Sequence, residues 1–281
     1  MKPFEIRCKD VQELRELVTQ NENSPTTIFR GVSRPEYDLV SSFARILEGR
    51  EIDQNCAAEL RLFNEVLTVE GITPTDDQFA TLDALLPRLA LMQHHGVPTR
   101  LLDWTTSINV ALFFALRSIN GTESCAIFAT DTRSFRPLQL NIEAAHDLDL
   151  WGNLTPSQLF FLNRPAEVNW FRIQPGVVPR LDLQHGLFLV PGNPYVSFLD
   201  NTYSSPLNPI DRNVIRKYIL PITDVLRVNL LEELDRQFQI GPAQLFPGSD
   251  FDSNRFRELA LNVIDEISGR AGRAHGSGVQ P

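Results

Sequence analysis

The sequence predicts an α+β fold, a mixed β-sheet core with flanking helices, on three observations. Apolar residues recur at helical spacing toward both ends of the chain, and short β-branched and aromatic runs gather in its middle. The strand–helix alternation of a doubly wound fold is missing. The 281 residues, 42% hydrophobic and 22% charged, are enough to bury a full core at ordinary globular proportions.

Asp10 followed by Glu13 reads as a capped helix start, with Val11, Leu14, Leu17 and Val18 as the apolar face and an end near Asn23. Thr26 to Phe29 reads as a strand that Arg30 and Gly31 close. Leu60, Phe63, Val66 and Leu67 mark a helix, and Glu59, Glu65 and Glu70 fall on what reads as its solvated face. Phe79 to Leu89 marks another, which Pro87 should break or kink, with Gly96 as the stop after His94 and His95. Ile108 to Leu116 is apolar almost all round, as a core helix is, and Asp103 to Ser107 supply its cap candidates. Cys125 to Ala129, Val168 to Ile173, Leu183 to Val190 and Val214 to Leu220 read as strands, while Val225 to Phe238 and Phe256 to Ile267 read as amphipathic helices. Gly192 to Pro209, rich in Pro, Asn and Ser, reads as a long loop.

Cys8, Cys56 and Cys125 are too far apart for a zinc site or a redox dithiol, so reduced, unpaired thiols are expected. A net charge of -9 makes nucleic acid an unfavoured partner. No apolar run reaches membrane-spanning length, and the Met1 to Asp10 start lacks a secretory layout, so a cytoplasmic location is expected.

Three clusters carry chemistry: Phe29-Arg30-Gly31; the run from Gln93 to Thr105; and Arg180 with Gln184, Gly186 and Phe188. The middle run sets an Arg, a Gln, two His, an Asp, a Trp and hydroxyls beside a buried helix, where each polar group needs a partner. Arg30 suits a phosphate or pyrophosphate, or else pairs with Asp103 to brace the fold. His94 suits a general base, or else ends a helix as a cation; no second cluster has metal-ligand spacing, so no metal is expected. Arg100 and Asp103 would pair in a helical turn and diverge in a strand. Asp103, Thr105, Thr106 and Ser107 can cap the next helix, whose free N–H groups then suit an anion. Trp104 stacks on a base or sits in the core, and Gln184 orients a ribose or satisfies a strand end.

Phe29-Arg30-Gly31, the run through Gln93, His94, Gly96 and Thr99 to Thr105, Ala111, Phe114 and Ala115, the Arg180 to Phe188 spacing and Leu245-Phe246-Pro247 together resemble the FRG-domain family. The resemblance implies one FRG-type domain, taken over residues 1–267, in a bacterial or phage setting, while 268–281, with little to bury, reads as a disordered tail. A more distant likeness links Phe29-Arg30-Gly31 and Trp104-Thr105-Thr106-Ser107 to ADP-ribosyltransferases, which finish with a Glu on a late strand; here that stretch reads Gln184-His185-Gly186. What the two likenesses imply is an NAD-type nucleotide pocket in an ADP-ribosyltransferase-like fold, serving an ADP-ribosyltransferase or NAD-consuming effector in phage defence or a toxin system. Arg30, Gly31, Arg100, Trp104, Thr105, Thr106 and Ser107 would bind the nucleotide, and His94, Asp103 and Gln184 would serve the chemistry. The alternative is a non-catalytic module that binds a nucleotide or a partner protein.

Overall fold

Among the described residues, eight strands form one sheet with helices packed against it. A computed structural model of the chain describes residues 2–48, 50, 58–71, 79–117, 123–140, 142, 154–162, 167–203, 214–246 and 258–266. The strands are β1 (Phe4–Arg7), β2 (Thr27–Val32), β3 (Leu102–Thr105), β4 (Ser124–Asp131), β5 (Arg136–Pro137), β6 (Val168–Phe171), β7 (Gly186–Pro191) and β8 (Arg216–Pro221). Their order is β1-β8-β4-β2-β3-β7-β6-β5. The β1–β8 and β5–β6 pairs are parallel and the others antiparallel, so the sheet is mixed and the fold is α+β.

Helix α1 (Val11–Asn21) starts where the Asp10 side chain accepts from the Glu13 N–H. It packs with α5 (Ile108–Arg117) and α9 (Asp224–Phe238) on one face of the sheet, over Phe29, Ile127, Ala129, Tyr218 and Leu220. Alternate residues of the same strands, Ile28 and Phe128, turn to the other face with Leu102, Trp104, Leu187 and Leu189, as period-two side-chain alternation requires. A further core joins α2 (Ser42–Leu47), α3 (Ala58–Val69), α4 (Leu82–His94), α6 (Pro156–Phe161) and the last described helix, α11 (258–266).

Several expectations need correction. β2 continues past Phe29 to Val32, so Arg30 lies within the strand, opposite Phe128, and not at its exit. Pro87 sits inside α4 without ending it, because Leu82, Leu85, Leu86, Leu89, Ala90 and Met92 are all buried and hold the helix in place. The stretch read as one strand from Leu183 is split: Pro179, with its φ preset for a first turn, opens the short helix α7 (Pro179–Leu183), and β7 begins only at Gly186. The Gly192 to Pro209 stretch contains α8 (Phe198–Tyr203), whose Asn201 is buried and donates to Asn193 O at 2.9 Å and Val196 O at 3.2 Å; 204–213 lie outside the described residues. Cys56, Pro247 and the expected 268–281 tail also lie outside them. Cys8 and Cys125 are free and buried, and burial pushes their thiols up to about 11 and about 12. No described helix is long and apolar enough to cross a membrane.

Candidate functional site

The sheet is weakest between β2 and β3, and that is where the site forms. β2 pairs with β4 along its whole length, Thr27 to Val32, and β3 pairs with β7 from Leu102 to Thr105. Between β2 and β3 the register holds one pair alone, Phe29 opposite Thr105. Beyond it the Arg30 guanidinium donates to the Asp103 carbonyl, giving that acceptor the donor a neighbouring strand would have supplied. A cavity of about 900 Å³ opens here, lined by both strands and by residues of α4, α5, α7 and the segment after β2.

Asp103 is held from two sides. Gln93 Nε2 donates to its Oδ1 at 2.7 Å, and Arg30 Nη1 lies 3.7 Å from its Oδ2. Gln93 is oriented in turn by the Thr99 hydroxyl, which donates to its Oε1. The carboxylate keeps more than half of its surface open, whereas Arg30 is largely buried. Burial presses the Arg30 pKa down, Asp103 opposes that, and Arg45 adds to it. The result is a fixed cation beside an anion that is positioned and still reachable.

Across the cavity, α7 delivers Arg180 to His94 at the end of α4, where Nη1 meets Nδ1. A guanidinium has no acceptor, so the imidazole nitrogen must accept, and His94 is the neutral tautomer with its proton on Nε2. Burial first, then Arg180 and His95, lower its pKa below the ordinary histidine value. A depressed histidine pKa gives stability that is present above the unfolded value of about 6.5 and is lost as pH falls through the folded one. An NMR titration should therefore find the His94 midpoint below about 6.5, with the Nε2–H tautomer above it; a midpoint above that value would show that Arg180 does not face the ring. Thr105 Oγ1 donates to the Gln184 carbonyl at 2.7 Å, and Gln184 Nε2 donates to Leu245 O at 3.1 Å, tying β3, the end of α7 and the α10 helix (Pro242–Leu245) together.

Residues 25–124 match the FRG domain. No curated protein and no solved structure matches the chain. The FRG segment supplies both splayed strands, α4 and α5, and hence Arg30, Gly31, Gln93, His94, Asp103 and Thr105. Arg180, Gln184 and Gly186 reach the same cavity from outside it.

Of the residues singled out from sequence, Arg30, Gly31, His94, Asp103, Trp104, Thr105 and Gln184 line this cavity, and Arg100, Thr106 and Ser107 do not. Arg100 is 1% exposed and pairs with Glu59, itself 4% exposed, so Glu59 is not on a solvated face and Arg100 is not Asp103's partner. The start of α5 is occupied from within: Thr106 N–H donates to His185 O at 3.1 Å, Ser107 N–H to Thr105 Oγ1 at 3.1 Å and Val110 N–H to Ser107 Oγ at 3.3 Å. Asp103 and Thr105 belong to β3 and do not precede the helix as caps. Trp104 is buried in the opposite-face core. The aromatic with an open surface is Tyr37, half-exposed and on the cavity lining, which the sequence analysis does not single out. Among the described residues no group of three or more His, Cys, Asp or Glu side chains could hold a metal ion.

Proposed function

We propose that the cleft between β2 and β3 binds a pyrophosphate-bearing nucleotide of the NAD type, and that the chain acts on it as an ADP-ribosyltransferase or NAD-consuming effector of a defence or toxin system. The observation that carries the reading is Arg30, a largely buried guanidinium within a strand whose partner strand has moved away, lining a cavity of about 900 Å³. A cavity of that size is at the upper end of small-molecule sites. Arg30 offers a planar fork of donors to phosphate oxygens, Tyr37 offers a ring face, and the Nε2–H of His94 and the Gln184 amide offer neutral hydrogen bonds to ribose or amide groups. Asp103, reachable and held by Gln93 and Arg30, is the group suited to stabilise positive charge developing on a ribose when a glycosidic bond breaks.

One observation favours a non-catalytic nucleotide-binding module instead. The late position that would carry a catalytic Glu holds Gln184, and the other carboxylates on the lining belong to exposed residues, Glu36 and Asp38 in the segment after β2 and Glu48 at the end of α2. Calorimetry with NAD, ADP-ribose and ATP separates the readings. Binding should weaken by about 1.5–3 kcal/mol in Arg30→Ala, the worth of a hydrogen bond to a charged group. Absence of binding by all three ligands at millimolar concentration would end the nucleotide reading. Binding without release of nicotinamide would leave the non-catalytic one.

A further inference from the structure

We propose that Arg117 and Arg180 form a subsite for a phosphate dianion at the edge of the cleft, with Phe246 as the positioning residue for both. The Arg117 guanidinium carbon lies 4.1 Å from the centre of the Phe246 ring and that of Arg180 lies 4.3 Å from it. Phe246 is fixed in turn by edge contact with Phe114, which lines the cavity, at 5.9 Å. Cation–π contact orients a guanidinium and leaves its charge in place.

Among the described residues both charges lack a counter-ion. Among the described residues, neither arginine has a carboxylate within ion-pair distance, and the hydrogen bond of Arg180 goes to the neutral His94. Burial presses the Arg180 pKa down, Asp103 partly offsets this, and Arg117 presses it down further, so the two arginines repel each other where they stand. Asp103 is also the carboxylate next to Arg30. The row formed by Arg30, Asp103, Arg180 and Arg117 therefore carries three positive charges and one negative. Two guanidinium forks over one ring suit a compact group with several acceptor oxygens and a charge near -2, which is a phosphomonoester or the end of a pyrophosphate. Arg117 is exposed, so the subsite can be reached from solvent, and Arg180 lines the cavity, so it continues into the cleft.

This subsite deepens the nucleotide reading, on which the identity of its natural ligand rests, and an inorganic probe lets the two fail separately. The full chain is titrated with inorganic pyrophosphate, with calorimetry and the arginine Nε–H signals in NMR as readouts. The Nε–H signals of Arg117 and Arg180 should move together, and Arg117→Gln should weaken pyrophosphate binding by about tenfold or more. Arg236→Gln, which removes the same charge from an exposed pair with Glu232 on α9, should leave it unchanged. Arg117 is at the surface, so its variant keeps the test valid even where Arg180→Gln perturbs folding. Phe246→Leu should weaken binding while both arginines remain. An Arg117 signal that stays still at millimolar pyrophosphate, or equal effects of Arg117→Gln and Arg236→Gln, would overturn the subsite whatever nucleotides do. Pyrophosphate bound through Arg117 and Arg180 with no binding of NAD, ADP-ribose or ATP would keep the subsite and remove the nucleotide reading.

Discussion

Replacing Arg100 with alanine is expected to lower the stability of the fold by about 3–5 kcal/mol, the cost of stranding a charge in a buried pair. Its backbone N–H donates to Glu59 Oε1 at 2.8 Å and its Nε donates to Glu59 Oε2. Its remaining nitrogens reach Gly192 O and Phe161 O at 3.2 Å and Leu162 O at 3.5 Å, and its guanidinium carbon lies 5.3 Å from the centre of the Phe160 ring. One side chain thus joins α3, the end of α6 and the turn after β7, with each of its three guanidinium nitrogens engaged. In Arg100→Ala the Glu59 carboxylate stays buried with no cation, and three carbonyls lose their donor. Denaturant unfolding should show the midpoint falling at constant slope. Arg100→Lys should not rescue it, because an ammonium cannot span that fan of acceptors. Glu59→Met combined with Arg100→Met should recover much of the loss, since replacing both members of a buried pair with apolar groups avoids the stranded charge. A single-variant loss under about 1 kcal/mol would place the pair with ordinary surface bridges and refute this account.

The second large effect is expected at Gly31. A Cβ built there would lie 1.8 Å from Ala111 O, 2.7 Å from Ala115 N and 2.9 Å from the Ala111 carbonyl carbon, all backbone atoms of α5. Gly31 is not a positive-φ position, so what requires glycine is the approach of a helix to a strand and not an unusual turn. Backbone cannot swing aside as a long side chain can, so α5 would have to shift as a body. Gly31→Ala should cost about 3 kcal/mol or more, at or beyond the upper end of overpacking penalties. Because Ala111 and Phe114 of α5 line the cavity, ligand binding should fall with stability. Gly71→Ala is the comparison: nothing lies within 4 Å of its built Cβ, and its φ of +74° leaves about 1 kcal/mol of backbone strain. Thermal unfolding of the two variants should separate them clearly, and equal melting temperatures would show that α5 can move.

What was legible in the sequence follows from how local the cause is. The faces of α1, α3 and α9 and the capping by Asp10 depend on neighbours within a turn or two, and periodicity exposes them. The strand core of β4 and β8 is equally local in its β-branched and aromatic composition. Glu59 was misread because its burial is decided by Arg100, which approaches from a different part of the chain, while the spacing of Glu59, Glu65 and Glu70 mimics a wet helix face. The α7 turn was hidden for a different reason: the apolar run from Leu183 to Val190 suits a strand, and only Pro179 hints that a helix comes first. Arg180 was visible as part of a cluster, yet its working environment depends on Phe246 and Arg117, which no spacing rule connects to it.

The strand order also decides what can be cut away from this protein. The segment that matches the FRG domain holds β2 and β3, but β4, the full-length partner of β2, begins where that match ends, and β7, the partner of β3, begins at Gly186. A fragment trimmed to 25–124 would present two unzipped edges joined by the single Phe29–Thr105 step, and bare strand edges recruit other chains. Such a fragment should therefore be handled as an aggregation hazard, and any transplant of this site into another scaffold has to carry the sequence through at least Phe246 to bring Arg180, Gln184 and the aromatic ring behind them.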